Sequence, residues 1–424
     1  MAKKAKLLKT IGEKFSVMKI NVEDIPIDTL VEITNEMKGL TDYRNSYSYK
    51  PLENSVMITL IGLLADCDEW EDIYDFSVLH YDWFKSFLNL EYDLPSVSTL
   101  RRNMAMIDSN ELEEICVKYI IKKIERYEKI FNIKESKTKD IISYDGKTCN
   151  GSKRNNTKKG KIKPTNAMSA FNVDKDICLA TKFIDEKTNE IPTGPELIKL
   201  LDLTNTISVF DALNTQEDTI KAIVGKGGNY VAAVKNNQKS LFRDIKDYFK
   251  DKKLYQQATK ESYYSETEKA HNDIEKRTYI MTSNIEWLDN KGKWKNIKSI
   301  GLVTREYTLD GRRTTDTRYF ITDLSSNEIR DFSKAVREEW GIENNLHWHL
   351  DYTFKEDYSK TYIKNAQANL NILRKLALNI LKLVQPLYNV SLKRIRKKLI
   401  MDFENEINNI FTYLSVDNLQ QLLC

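Results

Sequence analysis

The spacing of apolar residues divides the chain near residue 140. Before that point, from about 25 to 131, apolar side chains recur at helical spacing, most clearly in the run 55–65. After it, short β-branched runs alternate with helical segments, as is typical of an α/β structure. The pattern therefore predicts an all-helical N-terminal domain followed by an α/β domain.

The predicted strands of the second part are 141–145, 165–173, 177–184, 206–211 and 228–235. The second and third are expected to form a hairpin. Helices are predicted after each of the last three strands, the first of them beginning at Gly194-Pro195 because proline is favoured in a first helical turn. Three strands followed by helix, strand, helix, strand and helix is the order of an RNase H-like α/β fold.

Residues 255–325 interrupt this order with β-rich sequence. Two alternating runs joined by Asp310-Gly311 predict a hairpin within it. An insertion of this length between core elements is expected to form a subdomain. Its Arg305, Arg312, Arg313 and Arg318 are candidate DNA contacts, and a solvated hairpin face is an equal alternative.

A first candidate for chemistry is Asp145, at the end of the strand 141–145. It is the one acid between positions 145 and 163, against seven bases. A carboxylate at a strand end that faces cations suits a metal site beside a phosphate backbone. The alternative is a turn at Asp145-Gly146, since this dipeptide is a strong hairpin signal. The cations singled out as DNA contacts are Lys147, Lys153, Arg154, Lys158 and Lys159.

A helix predicted from residue 327 carries Glu343. At helical spacing Glu343 shares a face with Val336, Trp340, His347 and Leu350, which are apolar or aromatic. An ionised glutamate on such a face is costly unless a metal ion or another cation compensates it. The alternative is a glutamate near the helix end that reaches solvent.

A third carboxylate, Asp211, ends the strand 206–211. Asp145, Asp211 and Glu343 can therefore converge, although 66 and 132 residues separate them in turn (211 − 145 and 343 − 211). Three carboxylates around one point repel each other unless cations join them. Two Mg²⁺ or Mn²⁺ ions would neutralise them and clamp an in-line displacement at phosphorus. The chemistry implied is attack of water, and then of a DNA 3′-hydroxyl, on a phosphodiester.

Two basic helices offer further contacts. A capped helix after Pro95 carries Arg101 and Arg102 near its start, and such a helix can lie against DNA. A bundle helix with solvated arginines is the favoured interpretation of this segment. The basic run 392–399 is expected to be a solvated helix, with DNA contact as the sharper alternative.

Composition limits the class of protein. A net charge of +4 does not by itself indicate a nucleic-acid binder, so the local basic runs carry that argument. Five scattered cysteines with no C-x-x-C pair argue against a zinc site or a disulfide framework. No long apolar run predicts a membrane span, and the basic N-terminus lacks a signal-peptide core. The protein is therefore expected in the cytoplasm.

Several motifs resemble those of the DDE transposases of bacterial insertion sequences, in the ISAs-type branch that contains the H-repeat-associated proteins. The resemblance runs from about residue 42 to 383, and its late motif is the most specific. Position 339 departs from the branch, which usually carries histidine there. The motifs are Tyr144-Asp-Gly-Lys-Thr148, Asp211-Ala-Leu-Asn-Thr-Gln216, Trp340-Gly-Ile-Glu-Asn344, Leu346-His-Trp348, Leu350-Asp351 and Phe354-Lys-Glu-Asp357.

The resemblance implies that Asp145, Asp211 and Glu343 are the catalytic, metal-binding triad of a transposase. It implies an RNase H-like core with a β-rich insertion before the last catalytic helix. Related transposases carry Tyr, Arg and Lys around the catalytic Glu, but positions 336, 339 and 350 do not match them here, so Arg337 and Lys355 are only candidate phosphate contacts. It further implies double-stranded DNA as partner, in the form of terminal inverted repeats and target DNA, a homodimer on that DNA, and a place on the nucleoid.

The predicted parts are a basic arm (1–24), a helical accessory or DNA-binding domain (25–138), a catalytic core in two pieces (139–254 and 326–385), a β-rich insertion (255–325) and a basic helical tail (386–424). A rival interpretation is a decayed or domesticated copy that binds DNA as a repressor without catalysis. An RNase H-like repair nuclease is a third, but it leaves the late motif unexplained. Short inverted repeats in the DNA flanking the gene would favour the transposase.

Overall fold

The computed structural model describes residues 28–44, 50–130, 138–157, 160–184, 190–270, 273–289, 291–309 and 312–415. Within them the chain is a mixed α/β protein with one large sheet, which confirms the expected α/β class. The predicted basic arm (1–24) lies outside the described residues. Lys158 and Lys159, between β2 and β3, also lie outside them. No helix in the described part is long and apolar enough to cross a membrane. The four cysteines that fall in this part are all free thiols.

The strands of the described chain are β1 (Asp140–Cys149), β2 (Arg154–Thr157), β3 (Gly160–Ile162), β4 (Thr165–Asn172), β5 (Ile177–Ile184), β6 (Thr206–Phe210), β7 (Asn229–Val234), β8 (Tyr263–Ala270), β9 (Asp273–Thr282), β10 (Ser299–Leu309) and β11 (Arg312–Thr322). Nine of them form the sheet, in the order β5-β4-β1-β6-β7-β11-β10-β9-β8, and β2 pairs only with β3. Strands β1, β6 and β7 are parallel, whereas β4 and β5 add to β1 as an antiparallel hairpin. The predicted hairpin and the later strands at 206–211 and 228–235 are thus confirmed.

The β-rich segment 255–325 extends the same sheet instead of forming a sheet of its own. Strand β11 pairs antiparallel with β7, with Tyr319 opposite Val234. Strands β10, β9 and β8 follow outward as an antiparallel meander. The two strands on either side of Asp310-Gly311 pair as predicted. Because this pairing is continuous, side chains of the segment reach the edge of the parallel strands.

The helices of the described chain are α1 (Asp28–Met37), α2 (Leu52–Leu64), α3 (Trp70–Leu79), α4 (Tyr81–Lys85), α5 (Val97–Met106), α6 (Ser109–Ile130), α7 (Glu190–Lys199), α8 (Glu217–Gly225), α9 (Lys239–Lys250), α10 (Lys252–Glu261), α11 (Ile329–Glu338), α12 (Trp348–Tyr352), α13 (Lys364–Tyr388), α14 (Leu392–Met401) and α15 (Phe403–Leu414). Helices α7, α8 and α9 pack on one face of the sheet, and α11 packs on the other. Alternate residues of β6 and β7 face these two cores, as the period of a strand requires.

Helix α7 begins four residues before the predicted start at Gly194-Pro195, so that Pro195 lies inside it. The prediction of the start was wrong because the preceding turn is drawn into the helix by packing: Thr193 and Gly194 are both buried. A proline interior to a helix forfeits one backbone hydrogen bond, and burial of this face offsets that loss.

The N-terminal and C-terminal helices share one core. Side chains of α1 to α6 pack with those of α13, α14 and α15 and with one end of the β4–β5 hairpin. Helix α14 was predicted as a solvated basic helix, but Arg396 on it is fully buried and donates to Leu63 O and to Asp68 Oδ1, the latter at 3.0 Å. The solvated interpretation of this residue was wrong, because burying it is compensated by these acceptors.

Candidate active site

Asp145 lies within strand β1, not at its end. The strand continues to Cys149, and Gly146 pairs with Met168 of β4. Both the predicted strand end and the alternative of a turn at Asp145-Gly146 are therefore wrong. The reason is tertiary: β4 offers a full antiparallel partner along residues 142–149, and this pairing holds the glycine extended.

Asp211 follows strand β6 and opens the loop to α8. Its Oδ1 accepts hydrogen bonds from the backbone N–H and the side-chain Nδ2 of Asn214, at 3.1 and 3.2 Å. The Thr215 hydroxyl donates to Ala233 O at 2.7 Å, which fixes the loop against β7. Asp211 is exposed, in a loop held at both ends.

Glu343 begins a π-helical segment, Glu343–His347, between α11 and α12. The predicted buried face is correct at Val336 and Leu350 but wrong at Trp340, which is 58% exposed, and at Glu343, which is exposed as well. The extra residue of a π turn shifts the face. The residues that reach the core are instead a fully apolar set at intervals of four, namely Ile342, Leu346, Leu350 and Phe354. Glu343 is thereby left facing a cleft, without the desolvation cost expected of a buried carboxylate.

The three carboxylates line one cleft of ≈ 630 Å³ between the sheet and the segment that follows α11. Both cations and acids line it. Its walls are formed by Tyr144, Asp145, Asp211, Lys235, Arg277, Val303, Arg305, Asp316, Thr317, Arg318, Val336, Arg337, Glu339, Trp340, Ile342 and Glu343. The cleft thus contains three acids of which the first and the last are 198 residues apart in the sequence (343 − 145).

Electrostatic repulsion is concentrated on Asp145. Burial raises the pKa of this carboxyl to about 7, a hydrogen bond from the Gly146 N–H opposes the rise, and the charges of Glu343, Glu190 and Asp211 add to it. A group with this surplus of negative neighbours is stabilised by a cation. The direction of the pKa shift therefore fits a cleft that takes up positive charge.

His347 lies beside Asp145, with Nδ1 at 3.5 Å from Oδ2. Burial lowers the pKa of this imidazole to about 3, and the cations Lys375 and Lys147 lower it further. The ring is therefore neutral near pH 7, and the contact orients the carboxylate without an ion pair.

The donor set suits a hard divalent cation in chemistry, since all three acids offer carboxylate oxygens. Among the described residues, no group of three His, Cys, Asp or Glu side chains is already close enough to hold an ion. Asp211 and Glu343 are exposed, so their side chains have freedom to change rotamer. Asp145, Asp211 and Glu343 thus fit such an ion in donor type and charge.

Glu190, at the start of α7, is a fourth acid near this site that the sequence did not indicate. A Cβ on Gly146 would lie 2.3 Å from Glu190 Oε1, so the glycine makes room for this carboxylate beside β1. Burial raises the pKa of Glu190, a hydrogen bond from Asn214 lowers it, and Asp211 raises it. No local pattern marks this residue, because its position depends on how α7 crosses the sheet.

The cations that follow Asp145 have different environments. Lys147 is 10% exposed, and its Nζ lies 2.6 Å from Asp351 Oδ1 and 3.8 Å from Glu356 Oε2. Lys153 is exposed, and the guanidinium of Arg154 lies 5.1 Å from the ring centre of Tyr362. Lys147 thus ties β1 to the segment after Glu343.

The remaining predicted DNA contacts are dispersed. Arg101 pairs with Glu71 at 2.7 Å, and Arg102 beside it is exposed. Arg312 and Arg313 are exposed at the outer start of β11, where Arg313 pairs with Glu306. Lys355 Nζ lies 3.0 Å from Asp68 Oδ2. Arg337 lines the cleft, where it pairs with Glu268.

Two arginines of the β-rich segment that the sequence offered as DNA contacts, Arg305 and Arg318, also line the cleft. Arg318 stands two residues before the buried Phe320 and so faces the same side. The sequence did not indicate the other two cations of the cleft, Lys235 and Arg277, because their position depends on pairing between distant strands.

Comparison with known proteins supports the interpretation. The Transposase DDE domain family matches residues 136–380, and the family described as DDE_Tnp_1-associated matches residues 34–120. "Putative transposase YncI" of Escherichia coli O157:H7 is 30% identical over 83% of this chain and 87% of its own length. "H repeat-associated putative transposase YhhI" of Escherichia coli K12 is 28% identical over 88% of this chain and 96% of its own.

A solved structure of the piggyBac transposase synaptic complex with hairpin DNA aligns with a TM-score of 0.31 and 12% identity, over 93% of this chain and 84% of that one. That score is too low to establish a shared fold. The family match over residues 136–380 covers more than half of the chain, including all three carboxylates of the cleft. The chain therefore belongs to the Transposase DDE domain family and resembles the H-repeat-associated transposases.

Proposed function

We propose that this transposase cleaves DNA at the ends of an insertion sequence and transfers the freed strands, with Asp145, Asp211 and Glu343 as its catalytic residues. The observation that carries the proposal is their convergence on one cleft with five cations in its walls. Carboxylates alone would repel a phosphodiester, so the surrounding arginines and lysine supply the attraction that brings a DNA strand to them.

The strand order supports an RNase H-like core for this chemistry. Three strands, β5-β4-β1, form an antiparallel set, and β6 and β7 continue parallel to β1. Asp145 on the central strand and Asp211 after its parallel neighbour are adjacent by this topology. The β-rich extension then places its arginines opposite the segment of Glu343.

Asp145, Asp211 and Glu343 would hold one or two Mg²⁺ or Mn²⁺ ions. When bound, such ions neutralise the attacking and leaving oxygens of an in-line displacement. The chain itself orients the carboxylates: Ser143 Oγ donates to Glu339 O at 2.6 Å, which ties β1 to the segment before Glu343. The neutral His347 holds one face of Asp145.

The reaction consists of two displacements. In cleavage, water adds to phosphorus, the bond to the 3′ oxygen breaks, and that oxygen takes up a proton while the water loses one. In strand transfer the new 3′-hydroxyl attacks a target phosphodiester, and the displaced target 3′ oxygen is protonated in turn. The partners of this function are terminal inverted repeats and target DNA, bound by a homodimer on the nucleoid. The helical part 25–138 serves as accessory domain, and Arg101 and Arg102 are its candidate contacts.

Glu343→Gln tests whether catalysis is separable from binding. The amide keeps the volume of an exposed side chain and removes one ligand charge, so the fold and DNA binding should persist. Nicking should fall by more than about 100-fold, since substitutions that only support metal ligands already cost about 10–100-fold. The measurement is Mg²⁺-dependent nicking of a labelled duplex of the gene's flanking DNA, beside a gel shift on the same duplex.

Glu196→Gln, on the exposed side of α7, is the matched control and should nick as wild type does. If wild-type protein binds this DNA and never nicks it with any divalent metal, the protein is a DNA-binding repressor. If Glu343→Gln nicks as well as wild type, Glu343 is not the third carboxylate.

Gly341→Ala should displace the catalytic segment. A Cβ at this position would lie 2.7 Å from Val173 Cγ1 and 2.8 Å from its Cγ2, so the segment of Glu343 and Val173 must move apart. A misplacement of about 1 Å can cost about 100-fold in rate. We expect a loss of nicking of this order, with DNA binding retained in the gel shift.

The control is Gly225→Ala, where an added Cβ meets open space. Val173→Ala in the Gly341→Ala background removes the clashing methyl groups and should restore part of the rate. Failure of this second change to restore any activity would show that Gly341 acts through its backbone conformation, not through the contact with Val173.

A further inference from the structure

An ion pair in the wall of the cleft joins the β-rich extension to the segment that carries Glu343. Arg318, on β11, places Nη2 at 2.7 and 2.6 Å from the two carboxylate oxygens of Glu339. The guanidinium also lies 5.0 Å from the ring centre of Phe320. The Arg318 side chain is 30% exposed and that of Glu339 is 11% exposed, so the arginine is the more accessible member of the pair.

Arg318 belongs to a row of cations across the sheet. Arg305 on β10 stands opposite Arg277 on β9 and opposite Asp316 on β11, two residues from Arg318. Because alternate residues of a strand share a face, these arginines all face the side that carries α11 and the cleft. The row leads from the outer strands toward Asp145 and Glu343.

Within the described chain, carboxylates neutralise this row. Glu275, which is 6% exposed, pairs with both Arg277 and Arg305. Arg337 pairs with Glu268 on β8. These partners lie on the outer strands. Glu339 differs from them because it stands four residues before Glu343, on the segment that a DNA strand must approach to reach the triad.

A phosphate can take the place of that carboxylate. Both groups accept charge-assisted hydrogen bonds from a guanidinium, so a phosphate oxygen can replace the Glu339 carboxylate at Nη2 of Arg318. Glu339 cannot follow the arginine freely, since its backbone carbonyl accepts from Ser143. A phosphodiester in the cleft would therefore meet a negative side chain beside the cation it needs.

We propose that Arg318 binds a DNA phosphate next to the one that is cleaved, and that Glu339 holds Arg318 until this phosphate displaces it. This assignment rests on the proposed function of the cleft. Glu339 is then an internal competitor of the substrate, and the pair sets how tightly DNA is held.

The test is a pair of substitutions with opposite expected signs. Binding is measured by fluorescence anisotropy of a fluorescein-labelled duplex of the gene's flanking DNA, over a salt series in EDTA so that no strand is cut. Arg318→Gln should weaken binding about tenfold, as the loss of one charge-assisted contact predicts, and lower the log–log salt slope by about 0.9. Glu339→Gln should tighten binding about threefold, because a competitor and a like charge disappear.

The matched controls are the single variants Lys291→Gln and Glu286→Gln. Each breaks a surface ion pair outside the cleft and should leave DNA binding unchanged. Arg318→Lys retains the charge without the fork and should fall between wild type and Arg318→Gln. Thermal unfolding of each variant is recorded beside the binding curve. If Arg318→Gln does not fold, the sign of the Glu339→Gln effect alone decides.

A purely structural ion pair predicts another result: both substitutions destabilise the fold, and Glu339→Gln leaves binding unchanged or weaker. That result overturns the assignment, while the function stands if wild type nicks and Glu343→Gln does not. If wild-type protein binds no flanking DNA at any salt concentration, the proposed function and this inference both fail.

Discussion

Asp145→Asn is expected to lower metal-dependent nicking by more than about 100-fold and to stabilise the metal-free protein above pH 7. The first effect follows from the loss of a ligand charge on β1. The second follows from burial and like-charged neighbours, which raise the pKa of Asp145 from 3.8 to about 7 in the folded chain. Ionising this group in the folded state therefore costs free energy that asparagine never incurs.

The sign follows from proton linkage. Between about pH 4 and 7 the folded protein binds more protons at Asp145 than the unfolded chain does, so the free energy of unfolding falls as pH rises through this window. The fall should be smaller in Asp145→Asn. Urea unfolding in EDTA at several pH values measures it, with Asp218→Asn, an exposed site, as control. Equal pH dependence in the variant and the wild type would contradict the raised pKa.

Lys147→Met is expected to lower the free energy of unfolding by about 3 kcal/mol, because it removes a largely buried cation that two acids share. Glu356 is fully buried and Lys147 lies 3.8 Å from its Oε2, with Asp351 as its second partner. The effect should appear as a lower midpoint in urea with an unchanged slope. Loss of nicking would accompany it, since Asp351 belongs to the helix that follows Glu343.

Lys153→Met is the matched control. This lysine follows Lys147 in the same basic run but is exposed, so its replacement should change stability by no more than about 0.5 kcal/mol. If both variants unfold at the wild-type midpoint, the ion pairs of Lys147 are not structural. Lys147 would then remain a candidate for direct contact with DNA.

Strands were predicted correctly where a local apolar run marks them. The prediction failed where pairing with another strand determines the backbone conformation. The hairpin at 165–184 and the strand that precedes Asp211 could be predicted from apolar runs. Asp145-Gly146 carries the signal of a turn, yet pairing with Met168 keeps it extended. No property of residues 141–149 alone reveals that partner.

Glu343 illustrates a different limit. It lines the cleft with Asp145 and Asp211, but the predicted face is buried only in part: Val336 and Leu350 are buried, whereas Trp340 is exposed. Counting at helical period assumes a uniform turn, and the π-helical segment at Glu343–His347 breaks it. Burial favours Ile342 and Leu346, which the prediction did not include, over Trp340 and Glu343.

Pairing between distant strands sets the remaining limit. The four outer strands were predicted as β-rich sequence, but their junction with the parallel strands, Tyr319 opposite Val234, spans 85 residues (319 − 234). Local patterns give no register across such a distance. The place of Arg277 in the cleft depends on this register, and so the sequence did not indicate it, whereas Arg305 and Arg318 were candidates as members of the β-rich run.

The core shared by the first and last helices has a consequence for biosynthesis. The hydroxyl of Tyr127 on α6 donates a hydrogen bond to the carbonyl oxygen of Tyr413 on α15. Arg396 on α14 donates a hydrogen bond to the carbonyl oxygen of Leu63 near the end of α2. Because domains usually fold in order as they leave the ribosome, α1 to α6 must wait with an open apolar face until α15 has been made. A ribosome that stops within the sheet would release a chain whose helical part cannot complete its core. Premature termination should therefore give an aggregation-prone or proteolysed product, so that a truncated copy does not persist as a folded competitor for DNA.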